Sequence, residues 1–259
     1  GMSTLQTVLK TYKKSDLRLY AGAMKVLNNL AVNPSMTYNL VCDSVVQHAL
    51  EALVVLHDEE KYLVVALSLV SRLLSLDEEK KYKSQLLSDD VLDTCLFAVK
   101  NYTSGSIIHF ACVLLLLALE DAARVERILT KTLVEKLVSL LSSHKDEEEV
   151  CDDLVGFLAF CVNSPKAENV LAIDAATPVN ECMMKYYHNQ ALVEKCLHLL
   201  SLLRSVGHLD IQQILTSMKE YPVNAAVQRD GCVTLVHYLE TDVKNAKRVM
   251  ELKGIAICE

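Results

Sequence analysis

The chain has 259 residues, a formal charge of −7 and 51% hydrophobic side chains. An acidic balance of this size argues against a general nucleic-acid or anionic-membrane binder, whose affinity rests on clustered Lys and Arg. Seven Gly and four Pro are too few for a turn-dense β architecture, and long helices with short joints fit better.

Six helices are predicted to carry one recurring three-point pattern, a small or apolar residue followed four and seven positions later by further apolar residues. The first lies near 16–32, opened by Ser15 and Asp16, with Ala23, Leu27 and Leu30 as its triplet. The second, near 59–76, follows Asp58 to Glu60 and carries Ala66, Val70 and Leu73. The third, near 105–120, starts at Ser104 to Ser106 and carries Cys112, Leu116 and Leu119, with Leu116 expected in the core. In the fourth, near 147–163, Asp146 and Glu149 have the spacing of a capping box ahead of Leu154, Leu158 and Cys161. The fifth and sixth, near 190–206 and 224–240, carry Cys196, Leu200 and Leu203, then Gly231, Leu235 and Tyr238. First members of the triplet recur every 35 to 46 residues. A period of this size marks a helical solenoid, whose units bury their apolar faces only by stacking on neighbours.

The segments between these helices repeat as well. Tyr82 to Asn101, Val125 to Leu141 and Ala167 to Tyr187 each read as a short helix, a break and a longer helix. In the third of them Thr177 is placed as an N-cap and Pro178 at the first helical position. Most units therefore hold three helices. The shorter step before Gly231 leaves room for one companion helix only, about Asp210 to Glu220, which makes that unit HEAT-like.

The stretch from Val227 to Leu239, followed by Asn245 to Ile255, and the stretch from Ala21 to Ala31 with Asn29 resemble the armadillo-repeat family. The resemblance implies an all-α, right-handed armadillo/HEAT-like α-solenoid of about six repeats forming a single domain over 2–259. The family's glycine turn is clear only at Gly254; the stretches near Asp43, Ser88, Lys131 and Ala175 lack it. The sequence stops soon after that glycine, which suggests a fragment of a longer array or an incomplete last unit, and Gly1 reads as a tag remnant. In armadillo proteins the third helices line a concave groove that holds an extended peptide. The equivalent positions here are Lys25 and Asn29, Ser68 and Arg72, Leu114 and Ala118, Gly156 and Phe160, His198 and Leu202, and Val233 and His237. An alternative burial of Leu114, Leu202 and Val233 between neighbouring helices stays open. Nuclear-import adaptors of the family use Trp and Asn arrays in the groove; with no Trp and only Asn29 in place, that role fits poorly.

Motifs for chemistry are not found. Phosphate-cradling, dinucleotide, nucleophile-elbow and HExxH patterns are missing, and Cys196 and His198 are two apart, on different faces of a helix. No catalytic, cofactor-binding or metal-ligating residue is assigned. Nine cysteines without a CxxC pair, and no secretory signal, read as buried thiols without disulfides in a reducing compartment, cytoplasmic rather than nuclear. The longest apolar run, Ala111 to Leu119, is shorter than the roughly 20 residues that cross a membrane. The expected function is a non-enzymatic protein–protein interaction module that binds a partner peptide or protein in the groove, as part of a larger scaffold or adaptor. Two alternatives stand beside it: a structural subunit that assembles through its ends or convex face, and a regulatory domain coupled to a catalytic domain outside this sequence.

Overall fold

The computed structural model describes residues 2–13, 15–32, 41–166, 168, 173–203, 211–241 and 244–252. Among them every regular element is a helix, and no helix is long and apolar enough to cross a membrane. The chain divides into two compact units, 1–121 and 122–259. Gly254 and most of the short helix expected at the start of Ala167–Tyr187 lie outside the described residues.

The first unit contains α1 (Met2–Tyr12), α2 (Leu17–Leu30), α3 (Asp43–Leu56), α4 (Glu60–Leu76), α5 (Lys83–Leu86), α6 (Asp89–Asn101) and α7 (Gly105–Ala118). Its longer helices form two layers: α2 packs on α4 and α4 on α7, while α3 packs on α6, and the pairs α3–α4 and α6–α7 join the layers. The second unit contains α8 (Ala122–Ile128), α9 (Lys131–Ser143), α10 (Glu148–Val162), α11 (Ala176–Lys185), α12 (Gln190–Leu203), α13 (Ile211–Glu220), α14 (Ala225–Thr241) and α15 (Lys244–Glu251). There α10, α12 and α14 stack in one layer and α9 packs on α11 in the other, while α13 backs α14. The short-then-long pairs α5–α6 and α8–α9 match the predicted breaks, and α13 falls on the stretch predicted for a companion helix, about Asp210 to Glu220.

The triplet places the core because positions i, i+4 and i+7 share one face of a helix. Ala66, Val70 and Leu73 of α4, Leu154, Leu158 and Cys161 of α10, and Cys196, Leu200 and Leu203 of α12 are all buried. Each such aliphatic side chain contributes about 1.5–3 kcal/mol on full burial. Leu30, Leu116 and Tyr238 depart from the rule and are only half-buried. On α7 the buried stripe runs instead through Ile108, Ala111, Cys112, Leu115 and Leu119. The helix is apolar on nearly every side, so hydrophobic spacing alone does not fix its rotation.

Helix starts follow the expected chemistry in part. Asp16 caps α2 by accepting a 2.9 Å hydrogen bond from the Leu19 amide. The capping box at α10 does not form: Glu147 occupies the cap without a side-chain bond, while Asp146 turns to Lys185. A cation one repeat away outcompetes the local amides for that carboxylate. At α11 the helix begins at Ala176, before the expected Thr177 cap. Asp174 accepts from the Thr177 amide and hydroxyl at 3.5 and 3.3 Å, which moves Pro178 inside the first turn.

Polar contacts within each unit reach one repeat back along the chain. Three tyrosines, each shortly before a long helix, donate their hydroxyls to carbonyls at the matching joint of the preceding repeat. Tyr102 donates to His57 at 2.8 Å, Tyr186 to Lys145 at 2.9 Å and Tyr221 to Tyr187 at 2.7 Å. Asn189 and Asn224, beside two of these tyrosines, likewise donate to Glu148 and Glu194 at 2.7 and 3.1 Å. Each tyrosine bond satisfies a joint carbonyl, and the tyrosine and asparagine bonds together fix the register of one helix pair on the next.

Candidate protein-binding faces

In the first unit the candidate face lies on the layer α2–α4–α7. Asn28 and Ser68 bridge α2 to α4, the Asn28 amide nitrogen standing 3.0 Å from the Ser68 hydroxyl. Ser68 is thereby buried and committed to the seam. Lys25 and Asn29 are exposed on α2, and Arg72, one turn beyond Ser68, is half-buried on α4. The Arg72 Nε is buried without a hydrogen-bond partner. Leu114 and Ala118 of α7 are 0% and 1% exposed, so they are packing residues and offer nothing to a ligand; the half-exposed side of α7 carries His109, Phe110, Val113, Leu116 and Leu117.

In the second unit the layer α10–α12–α14 presents Gly156 and Phe160, then His198 and Leu202, then Val233 and His237. Phe160, His198, Leu202 and His237 are half-buried, and Val233 is exposed; Leu202 and Val233 thus keep surface to offer. A methyl group added at Gly156 would meet no atom within 4 Å, so the helix surface is open there. Polar side chains cross the seams between all three helices. The Asn163 amide nitrogen stands 3.4 Å from His198 Nε2, and His198 Nδ1 lies 3.3 Å from the buried Asp230 carboxylate. Arg229 grips the same carboxylate through Nε at 2.7 Å and through a terminal nitrogen at 3.1 Å. Lys195 of α12 reaches back to Asp152 of α10 at 2.7 Å. Arg229 holds the Asp230 carboxylate by charge-assisted bonds, and His198 is oriented between that carboxylate and the Asn163 amide.

Electrostatics away from these faces serves cohesion. The Tyr82 hydroxyl donates to Asp43 at 2.5 Å, and that bond, helped by Lys81, holds the Asp43 carboxyl below its ordinary value. Burial pushes the Cys161 thiol up to about 12 and raises Cys95 further; Cys112, Cys151, Cys182 and Cys196 are buried as well. Thiols in such surroundings are poor nucleophiles. Among the described residues no group of three His, Cys, Asp or Glu could hold a metal ion.

The Asn163–His198–Asp230–Arg229 network has only His198 in common with the positions inferred from the sequence. The Asp230 carboxylate sits next to an Arg in sequence, and such a pair ordinarily reads as a solvated surface. Asn28, which the spacing does not single out, enters the seam of the first unit, while Asn29, about 100° further round the helix, is exposed as expected of a surface position. A scan of the family models, a search of the curated proteins and a search of the solved structures each find no match to this chain.

Proposed function

We propose that each unit is a run of armadillo/HEAT-like repeats, about six in the whole chain, right-handed in winding and mostly built of three helices. The reading is supported by the tyrosine hydroxyls, which tie equivalent joints of successive repeats in the first unit and twice in the second. On this architecture the chain is a non-enzymatic protein–protein interaction module, intracellular and part of a larger scaffold or adaptor. A partner peptide or protein lies on the layer of long helices within a unit. The observation that carries this is the set of accessible side chains on the long-helix layer of each unit, Lys25, Asn29 and Arg72 in one and, separately, Phe160, His198 and His237 in the other, on helices whose opposite faces form the core. Phe160 supplies apolar area and the oriented His198 supplies specificity, the combination that protein interfaces use. Arg72→Ala combined with Phe160→Ala is expected to abolish capture of the partner from the source cell while the thermal melt stays unchanged. Normal melting with full capture would move the binding surface elsewhere.

One observation favours the assembly reading. Val233, Val236 and Leu239 of α14 are 38%, 51% and 37% exposed and recur at i, i+3 and i+6, close to one side of the helix. An uncovered apolar stripe on a repeat helix favours association. Sedimentation velocity is expected to show a concentration-dependent species that Val236→Glu removes; a monomer at every concentration rules this reading out.

A further inference from the structure

Arg72 stands apart from the other half-buried cations of the first unit. Lys13 and Lys83 are half-buried too, and each holds a carboxylate, Glu51 of α3 at 2.9 Å and Glu120, just past α7, at 2.6 Å. Arg72 makes no ion pair with a described residue, and its buried Nε–H has no acceptor. A guanidinium Nε–H withdrawn from water without an acceptor is costly to hold, and the guanidinium's fork of N–H donors matches a carboxylate well. Within one turn of Asn28, the α2 partner of Ser68, Lys25 adds a second positive charge and Asn29 an exposed amide, while the chain as a whole is acidic. The Asn28–Ser68 pair in the seam beside them bonds to itself, and the Arg72 Nε bonds to neither group.

The geometry points to Arg72 as the anchor for a carboxylate of the partner, and to an acidic peptide segment as the occupant of the α2–α4 face. This rests on the reading of the long-helix layer as the binding face and specifies the chemistry of what lies on it in the first unit. An Asp or Glu side chain of the segment accepts from the Arg72 fork, Lys25 steers the approach through its charge, and Asn29 bonds the peptide backbone. The affinity is salt-dependent, since one of the two cations, Lys25, is exposed.

A phage-displayed library of random dodecapeptides, selected on the intact chain, supplies the probes and presupposes no particular partner. Selected peptides are synthesised, their affinities measured by fluorescence anisotropy, and their positions mapped with a photo-cross-linker placed at Asn29 or at His237. The expected result is a class of peptides rich in Asp and Glu that cross-links from Asn29. These bind at least about tenfold more weakly to Arg72→Gln, the loss ordinary for one charged hydrogen-bonded contact. Arg72→Lys keeps part of the affinity because it retains the charge and loses the fork, and Lys100→Gln, which removes an exposed charge from α6 in the other layer of the unit, leaves it unchanged. Circular dichroism melts confirm that each variant is folded; should Arg72→Gln melt early, Lys25→Glu replaces it and is expected to weaken the same peptides. Neutral or basic peptides that cross-link from Asn29, or acidic ones indifferent to both substitutions, overturn the carboxylate anchor and leave the binding face standing. Peptides that cross-link from neither position, or a selection that yields none, overturn the face together with the anchor.

Discussion

At the scale of single residues, the distinction that matters is between a side chain that fills the core and one that merely lies on an apolar helix. Leu115 is 0% exposed and Leu116, its neighbour on α7, is half-buried. Leu115→Ala is expected to cost about 2–5 kcal/mol, the range for emptying a packed site. Leu116→Ala is expected to cost roughly half as much or less, because water already reaches it and little cavity forms. Urea unfolding of the two variants decides this, and equal losses would return Leu116 to the core. A similar asymmetry holds for the ion pair of the second unit. The Arg229 side chain is 66% exposed and the Asp230 side chain 6%, so Arg229→Ala is expected to cost under about 1 kcal/mol, as screened pairs do. Asp230→Ala also strips the buried acceptor from His198, and a loss of about 1–3 kcal/mol is expected. Identical denaturation midpoints for these two variants would show that the network has no structural weight. Much of the core was legible from apolar spacing because most of these helices have one polar side that betrays their rotation. On α7 that polar side is missing, and the assignment of Leu114 to the surface and Leu116 to the core failed for that one reason. The network around Asp230 was illegible for another: it needs three helices that are 30 or more residues apart to be in register, which no local pattern reveals.

At the scale of elements, packing depends on how closely two helices approach and on what fixes their joints. Gly231 of α14 faces Met218 of α13, and a methyl group added there would stand 2.7 Å from the Met218 sulfur. Two effects of Gly231→Ala oppose each other. Alanine favours the helix by about 1 kcal/mol, and overpacking opposes it by about 1–3 kcal/mol. Overpacking wins, because Met218 is 1% exposed and has little room to withdraw, so a net loss of about 1 kcal/mol is expected. In a Met218→Ala background the same substitution is expected to stabilise, and a change of sign in the urea midpoint checks the contact directly. The small-residue anchor was visible in the sequence at Gly231; its partner was not, since α13 was placed by length alone. The tyrosine joints went unnoticed although Lys100 with Tyr102, Lys185 with Tyr186 and Lys219 with Tyr221 repeat a basic residue and a tyrosine before each long helix. Insertions of one residue blur that signal, and the hydroxyl reaches a backbone carbonyl, a partner that leaves no trace in sequence.

For the whole molecule, the testable consequence of these contacts is a stability that declines with acid in two stages. His48 on α3 is 7% exposed, and burial holds its imidazole below the ordinary value of 6.5, with Lys10 and Lys13 acting in the same direction and Glu51 against it. The unfolded chain therefore takes up a proton that the folded chain refuses, so this contribution is complete above about pH 6.5 and shrinks as the pH falls toward the folded value. Carboxylates supply the second stage. Asp43 is held below its ordinary 3.8 chiefly by the Tyr82 hydroxyl, and Asp146 chiefly by its bond to Lys185. Glu51 and Glu120 are held below 4.5 by hydrogen bonds from Lys13 and Lys83. Folded pKa values below the unfolded ones mean stability that is present above the ordinary carboxylate range and lost as the pH falls through the folded values. These are mostly surface pairs, individually weak and screened by salt, and they matter together because several link one repeat to the next. Melting temperature at constant ionic strength is expected to be level between pH 7 and 8, to decline gently below 6.5 and to drop steeply below 4.5. His48→Gln is expected to remove the gentle decline and leave the steep one, whereas Lys83→Gln with Lys185→Gln makes the steep stage shallower and leaves the gentle one. The two stages separate because they belong to different chemistry: one proton withheld from a buried ring, and several carboxylates that tie neighbouring repeats. A His48→Gln protein that still declines between pH 6.5 and 5 would trace that stage to another group.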